Sequence, residues 1–158
     1  MGKILILDEY SSVRELTAAE LANEGHLVVP IGKPCLIRKL IHTLQPDLLL
    51  FDLHLCGVDR WDVLEAVRKE VPHLPILIFS AYAGYNNDPR MALADGFVMK
   101  SFRFEKLKAK VAEVLKRKLG HNAEGEKDTV INAQVSIPRE PNRKAPVLHL
   151  GKNKALHA

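Results

Sequence analysis

Cysteine is scarce in this sequence, and long apolar runs are missing from it. Only two cysteines occur, Cys35 and Cys56, and neither has a partner at C-x-x-C spacing. This excludes the usual zinc and redox dithiol motifs and favours a reducing, cytoplasmic location. The longest apolar runs, such as Leu48–Phe51, are far too short to span a bilayer. The start of the chain lacks a small-residue cleavage pattern, so we expect no secretory signal and no membrane span.

A strong excess of basic charge is also missing. The 158 residues carry a formal net charge of +4, and no basic helix with interleaved aromatic residues accompanies that charge. We therefore expect no direct DNA binding. The length suits one compact domain at residues 1–120 and a C-terminal tail at 121–158, rather than two full domains.

Short apolar runs alternate with amphipathic stretches through the first three-quarters of the chain. Strands are predicted at residues 3–7, 26–30, 48–51, 75–79 and 97–99. Helices are predicted between and after them, at about 12–23, 34–44, from a cap at Asp59 to 70, over a short stretch from 88, and at 104–119. Five βα units in a row predict an α/β fold with a parallel, doubly wound sheet and helices on both of its faces.

The tail has a different pattern. Between Thr129 and Ile137 apolar and polar residues alternate strictly, which is typical of a half-buried strand. Residues 146–150 resemble a second, shorter strand. Two interpretations have equal weight: a disordered extension, and a β-hairpin that docks on the same chain or on a second copy to form a homodimer.

Polar residues stand where the predicted strands end. Asp8 and Glu9 follow the first strand, Asp52 the third, Ser80 the fourth and Lys100 the fifth. The carboxyl ends of strands in a doubly wound sheet form its ligand crevice, so we expect these side chains to converge. Three carboxylates in one crevice suit Mg²⁺, and a carboxylate beside Mg²⁺, a lysine and a hydroxyl suits attack on a phosphoryl group.

These residues together resemble the receiver domain of two-component signalling, across about residues 3–119. The resemblance rests on Asp8-Glu9, Leu50-Phe51-Asp52-Leu53-His54, Gly57-Val58-Asp59, Ser80-Ala81 and Phe97-Val98-Met99-Lys100. It implies the flavodoxin-like strand order 2-1-3-4-5. The stretch between Ser80 and Lys100 is short for this family, which predicts a reduced fourth helix.

The resemblance also implies a role for each residue. Asp52 is the phospho-acceptor, and Ser80 and Lys100 contact the phosphoryl group. Phe97 is the aromatic switch residue. Mg²⁺ is held by Asp8, Glu9, Asp52 and the backbone carbonyl of His54. The implied partners are a histidine kinase or phosphotransfer protein and a downstream protein target, so the chain is expected to be a signalling module rather than an enzyme.

Other functions compatible with this fold remain as alternatives. An aspartate-nucleophile phosphatase resembling the haloacid dehalogenases needs a second Asp two residues after the nucleophile, and that position is His54. A flavin-phosphate binder needs a hydroxyl-rich loop after the first strand, where this chain has acidic residues. An interaction scaffold that is never phosphorylated is compatible with the sequence.

Overall fold

The computed structural model describes the backbone of residues 1–133 and the side chains of residues 1–118. Its strands are β1 (Lys3–Leu7), β2 (Leu27–Ile31), β3 (Leu48–Phe51), β4 (His54–Leu55), β5 (Val58–Asp59), β6 (Ile76–Ser80) and β7 (Gly96–Met99). Its α-helices are α1 (Ser11–Asn23), α2 (Ile37–Leu44), α3 (Trp61–Glu70) and α4 (Glu105–Ala133). Three short 3₁₀ helices lie at Pro34–Leu36, Ala83–Asn87 and Pro89–Leu93.

Five strands form one parallel sheet in the order β2-β1-β3-β6-β7. Counted along the chain, this is the predicted flavodoxin-like order 2-1-3-4-5, so the predicted fold class is confirmed. β4 and β5 form a separate antiparallel pair directly after β3. The predicted reduction of the fourth helix is also confirmed, since two 3₁₀ helices occupy the connection between β6 and β7.

The apolar strands supply a core on each face of the sheet. Successive side chains of a strand point to opposite faces, and β1 shows this: Leu5 and Leu7 join one buried cluster, while Ile4 and Ile6 join the other. The first cluster packs against α2 and α3. The second packs against α1 and α4. Burial on both faces explains why β1, β3 and β6 are continuously apolar.

Two local predictions were wrong. Asp59 does not cap α3, whose first turn is preceded by Arg60, because the Asp59 side chain is engaged by His54 and Tyr85. The last helix does not end at Leu119 but continues through Gly120 to Ala133. The helix contains two glycines, Gly120 and Gly125. Each costs a helix only about 1 kcal/mol, and the alanine, lysine and glutamate residues around them favour helix.

The longer helix corrects part of the interpretation of the tail. Residues 129–133 are helical, so the strand predicted from Thr129 does not begin there. The remainder of that strand, residues 134–137, and the second predicted strand at 146–150 lie outside the described residues. Among the described residues, no helix is both long enough and apolar enough to cross a membrane.

Thr17, on α1, carries a buried hydroxyl with no hydrogen-bond partner, the one such side-chain atom in the described part of the chain. An unsatisfied buried polar group costs about 1–3 kcal/mol. We therefore expect Thr17→Val, which keeps the branched shape, to raise the free energy of unfolding by about 1 kcal/mol in urea titrations. Thr43→Val is the control, because the exposed Thr43 hydroxyl donates to the Lys39 carbonyl at 2.9 Å and its loss brings no gain. A Thr17→Val protein no more stable than wild type would contradict this account.

Candidate functional site

An open cleft of about 560 Å³ lies at the carboxyl ends of the central strands. Asp52, directly after β3, lines it together with Ser80, at the end of β6, and Lys100, directly after β7. The strands place these residues together, as predicted, although 48 positions separate Asp52 from Lys100. The site is therefore a product of the parallel sheet rather than of one local motif.

Lys100 is the electrostatic centre of the cleft. Its ammonium donates to Asp8 Oδ2 at 2.7 Å and to Asp52 Oδ2 at 2.5 Å. The side chains of Asp8 and Asp52 are 3% and 5% exposed, so both carboxylates depend on this partner for charge compensation. Asp8 Oδ1 also accepts from the backbone N–H of Tyr10 at 2.9 Å.

The Asp52 carboxylate is held in an environment that disfavours its charge. Burial raises its pKa above the ordinary aspartate value, and the hydrogen bond and charge of Lys100 offset this only in part. Oδ1 accepts from the backbone N–H of His54 at 3.2 Å. Asp52 is thus oriented through both of its oxygens. A second cation, or a reaction that removes the charge, would lower the free-energy cost of burying this carboxylate.

Glu9 departs from the expected arrangement. Its Oε2 accepts from the backbone N–H of Cys56 at 2.8 Å, so the side chain lies on the β4–β5 loop instead of beside Asp52. Among residues 1–118, no three acidic, histidine or cysteine side chains are grouped as a metal site. Asp8 and Asp52 meet on Lys100, whereas Glu9 is bonded to the Cys56 N–H, so the role of Glu9 as a metal ligand stays a prediction. The hard oxygen donors still suit Mg²⁺, and two of them already share one cationic partner.

Ser80 and Phe97 occupy different surroundings. Ser80 is buried in the cleft, and its hydroxyl accepts from the backbone N–H of Tyr82 at 3.4 Å, which leaves its proton available to a ligand. Phe97 is partly buried against the core, and it lines a separate surface groove with Met99 and Arg103 rather than the cleft that holds Asp52.

A polar network beside the cleft was not predicted. Asp59 Oδ1 contacts His54 Nδ1 at 2.8 Å and accepts from the Tyr85 hydroxyl. The bond to His54, followed by that to Tyr85, lowers the pKa of Asp59, while the same contact with Asp59 raises the pKa of His54. Burial and the bond to Asp59 raise the pKa of Tyr85. The Cys56-Gly57 turn, which pairs His54 with Asp59 across β4 and β5, was a local signal for their contact, but no pattern indicated Tyr85.

The network ties the β4–β5 pair to the first 3₁₀ helix between β6 and β7. The Tyr85 ring is 4% exposed and packs edge to face on Trp61, with centroids 5.8 Å apart, and on Tyr82, at 5.0 Å. The Arg90 guanidinium lies 4.1 Å from the centre of the Trp61 ring. One wall of the cleft is therefore an aromatic cluster with a polar anchor.

Comparison with known proteins agrees with this geometry. Residues 4–112 match the family model of the response regulator receiver domain. The two-component response regulator PhoP of Pseudomonas aeruginosa is 30% identical over 122 residues, which are 75% of this chain and 53% of PhoP. The DNA-binding response regulator MtrA of Mycobacterium tuberculosis is 28% identical over 139 residues, which are 86% of this chain and 59% of MtrA. The chain spans about half the length of the curated relatives it matches.

Solved structures show the same similarity. The response regulator TrrA of Thermotoga maritima, in complex with Mg²⁺-BeF, is 31% identical, with a TM-score of 0.68 over 72% of this chain and 99% of TrrA. TrrA has also been solved in complex with the histidine kinase ThkA. A CheY-like receiver domain protein of Methanospirillum hungatei is 25% identical, with a TM-score of 0.70 over 77% of this chain and 98% of that protein. From the strand order, the Asp–Lys cleft and these matches, the chain belongs to the response-regulator receiver family of two-component signalling.

Proposed function

We propose that Asp52 accepts a phosphoryl group from a histidine kinase or phosphotransfer protein, and that the chain signals through a protein-binding surface. The observation that carries this proposal is the Lys100 ammonium shared by Asp8 and the buried Asp52 at the mouth of an open cleft. Its partner class is supported by the complex of the relative TrrA with a histidine kinase.

The transfer follows from the groups present. A carboxylate oxygen of Asp52 attacks the phosphorus of phosphohistidine, the P–N bond breaks, and an acyl phosphate forms on Asp52. The Lys100 ammonium moves its hydrogen bond from the Asp52 carboxylate to a phosphoryl oxygen. The Ser80 hydroxyl donates to another phosphoryl oxygen. The reaction removes an unfavourable charge from the buried Asp52 carboxyl and places the dianionic phosphoryl group in the open part of the cleft.

Mg²⁺ is the cofactor we propose for this step. Asp8 and Asp52 would hold it, with the His54 carbonyl as a further ligand and with Glu9, whose side chain is oriented by the Cys56 N–H. When bound there, Mg²⁺ would supply positive charge that offsets the charge of the phosphoryl oxygens. The Mg²⁺-BeF complex of TrrA supports this choice of metal.

The chain is proposed as a phospho-acceptor with a protein output, not as an enzyme with a separate substrate. Among its relatives MtrA is a DNA-binding response regulator, and this chain covers only 59% of it. Our expectation that the present residues do not bind DNA directly therefore stays a prediction. A downstream protein is the proposed target.

The direct test is incubation with a small phosphodonor such as acetyl phosphate, with and without Mg²⁺, followed by intact-mass measurement. Wild type should gain one phosphoryl group that depends on Mg²⁺ and is labile in base, because an acyl phosphate hydrolyses there. Asp52→Asn should gain none. Asp47→Asn is the matched control: Asp47 lies at the opposite end of the sheet, on the Lys3 N–H and Lys118, and its variant should be labelled like wild type. Labelling of Asp52→Asn to the wild-type level would refute Asp52 as the acceptor. No labelling of wild type would favour the scaffold alternative.

Stability against pH tests the buried carboxyl independently of phosphorylation. The pKa of Asp52 is raised in the folded state above the ordinary value of 3.8, first by burial. Its stabilising contribution is therefore fully present below pH 3.8 and is lost as pH rises through the folded pKa. Asp52→Asn does not titrate, so we expect its free energy of unfolding to increase relative to wild type as pH rises above that value.

The pKa of Asp47 is shifted in the opposite direction, so its effect on stability has the opposite dependence on pH. Burial alone would raise its pKa, but the hydrogen bond from the Lys3 N–H and the pairing with Lys118 hold it below the ordinary 3.8. Its contribution is present above that value and is lost as pH falls through the folded pKa. Asp47→Asn should therefore lose stability relative to wild type as pH rises. Urea titrations between about pH 3 and pH 7 measure both trends, and parallel trends for the two variants would rule out the raised pKa of Asp52.

A further inference from the structure

The two cysteines of the chain line one surface groove. Cys35 lies in the 3₁₀ helix before α2, and Cys56 lies in the turn between β4 and β5. Both are free and exposed, and both line a groove of about 440 Å³ between α2 and α3. None of the residues that line this groove lines the Asp52 cleft. The sequence spacing of 21 positions gave no sign of this pairing.

The groove has the surroundings in which cysteines react. Reactive cysteines occur in exposed, electropositive sites, whereas inert ones are buried in apolar surroundings. Three basic side chains line the groove: Lys33, Arg38 and Arg60. Arg60 is paired with Asp62, and Arg38 is paired with Glu70. The two exposed thiols therefore share a groove in which Lys33 is the basic side chain without a carboxylate partner among the described residues.

Cys56 also has a strained backbone. The turn has two residues, Cys56 with φ of 54° and Gly57 with φ of 76°. Positive φ at both positions is the geometry of a type I′ turn, which glycine, asparagine and aspartate favour. A left-handed conformation costs a residue with a Cβ roughly 1–2 kcal/mol. The turn thus stores backbone strain at Cys56 that a shift of this residue would relieve.

We propose that Cys35 and Cys56 are a redox pair that a small peroxide converts into an intrachain disulfide. The sulfur of one cysteine attacks a peroxide oxygen, the O–O bond breaks, and a sulfenic acid and one water form. The sulfur of the other cysteine then attacks the sulfenyl sulfur, forming the S–S bond and releasing a second water. Two thiols are oxidised by two electrons, and one hydrogen peroxide is reduced to two waters.

The disulfide would affect the cleft that contains Asp52 through one hydrogen bond, from the Cys56 N–H to Glu9. The Cys56 N–H orients Glu9, the residue next to Asp8, at 2.8 Å. A disulfide requires Cα atoms roughly 4.4–6.8 Å apart, so closing it fixes the turn of Cys56 relative to the 3₁₀ helix of Cys35, and we expect the Cys56 N–H to lose its bond to Glu9 in that state. Loss of a partner that orients a metal ligand typically costs 10–100-fold in metal affinity. This consequence, unlike the disulfide, rests on the proposed function.

The test treats the full chain with stoichiometric hydrogen peroxide, blocks remaining thiols with N-ethylmaleimide, and measures intact mass and non-reducing gel mobility. Wild type should become a monomer that has lost two hydrogen atoms, takes up no maleimide, and reverts with dithiothreitol. Cys35→Ser and Cys56→Ser are the matched controls and should not form this product. Free thiols, separately oxidised thiols or only interchain dimers in wild type would overturn the redox pair.

Calorimetric Mg²⁺ titration of the reduced and oxidised protein tests the link to the cleft. The oxidised wild type should bind Mg²⁺ at least about tenfold more weakly, and the Cys35→Ser/Cys56→Ser double variant should be insensitive to peroxide. Equal affinity in the two wild-type states would overturn the coupling to Glu9. Absence of Mg²⁺ binding in both states would refute the proposed cofactor while leaving the disulfide, measured by mass, intact.

Discussion

Lys100 joins two nearly buried carboxylates, and the functional end of the sheet depends on this contact. A buried charge without a partner is strongly destabilising, and Asp8 and Asp52 both rely on the same ammonium. Lys100 follows β7 at the edge of the sheet and reaches past β6 to residues that follow β1 and β3. The ion triad therefore sets the relative positions of three strand ends, those of β1, β3 and β7. It carries a net negative charge with two carboxylates and one ammonium, which is the charge that attracts a divalent cation.

The strands and their polar ends could be predicted from the sequence, because burial on both faces requires an unbroken apolar run and makes the following acid or lysine conspicuous. Asp52 and Lys100 were found in this way. The orientation of the Glu9 side chain could not be predicted from the sequence. The end of a strand fixes the position of the backbone, but it does not fix which hydrogen-bond donor the side chain contacts. Here the Cys56 N–H, 47 residues away, takes that side chain. The strand predicted from Thr129 was wrong at residues 129–133 for a different reason. A few alternating residues do not prevent a preceding helix from extending through them, and α4 does so here.

The aromatic wall of the cleft shows the same limit. Aspartate is a residue type that often caps helices, and the position of Asp59 just before α3 predicted that role for it. In the folded chain it is taken by His54 and Tyr85 instead, and α3 begins without a side-chain cap. Tertiary structure places Tyr85, which is 26 positions away in sequence, beside the Asp59 carboxylate, and this contact replaces the capping bond. The Tyr85 ring lies in the buried cluster on the face of the sheet that packs against α2 and α3, and it contacts Trp61 and Tyr82.

The pair of 3₁₀ helices at Ala83–Asn87 and Pro89–Leu93 has a consequence for how a change at Asp52 would spread. Short 3₁₀ segments have poorer hydrogen-bond geometry than an α-helix and little cooperativity of their own. The conformation of this connection is therefore set from outside, chiefly where Tyr85 is anchored on Asp59 and Trp61. A regular helix moves as a rigid rod and carries a displacement along its whole length. The shape of this connection instead follows its tertiary contacts: Tyr85 with Asp59 and Trp61, Arg90 with Trp61, and the Leu93 carbonyl with Arg68.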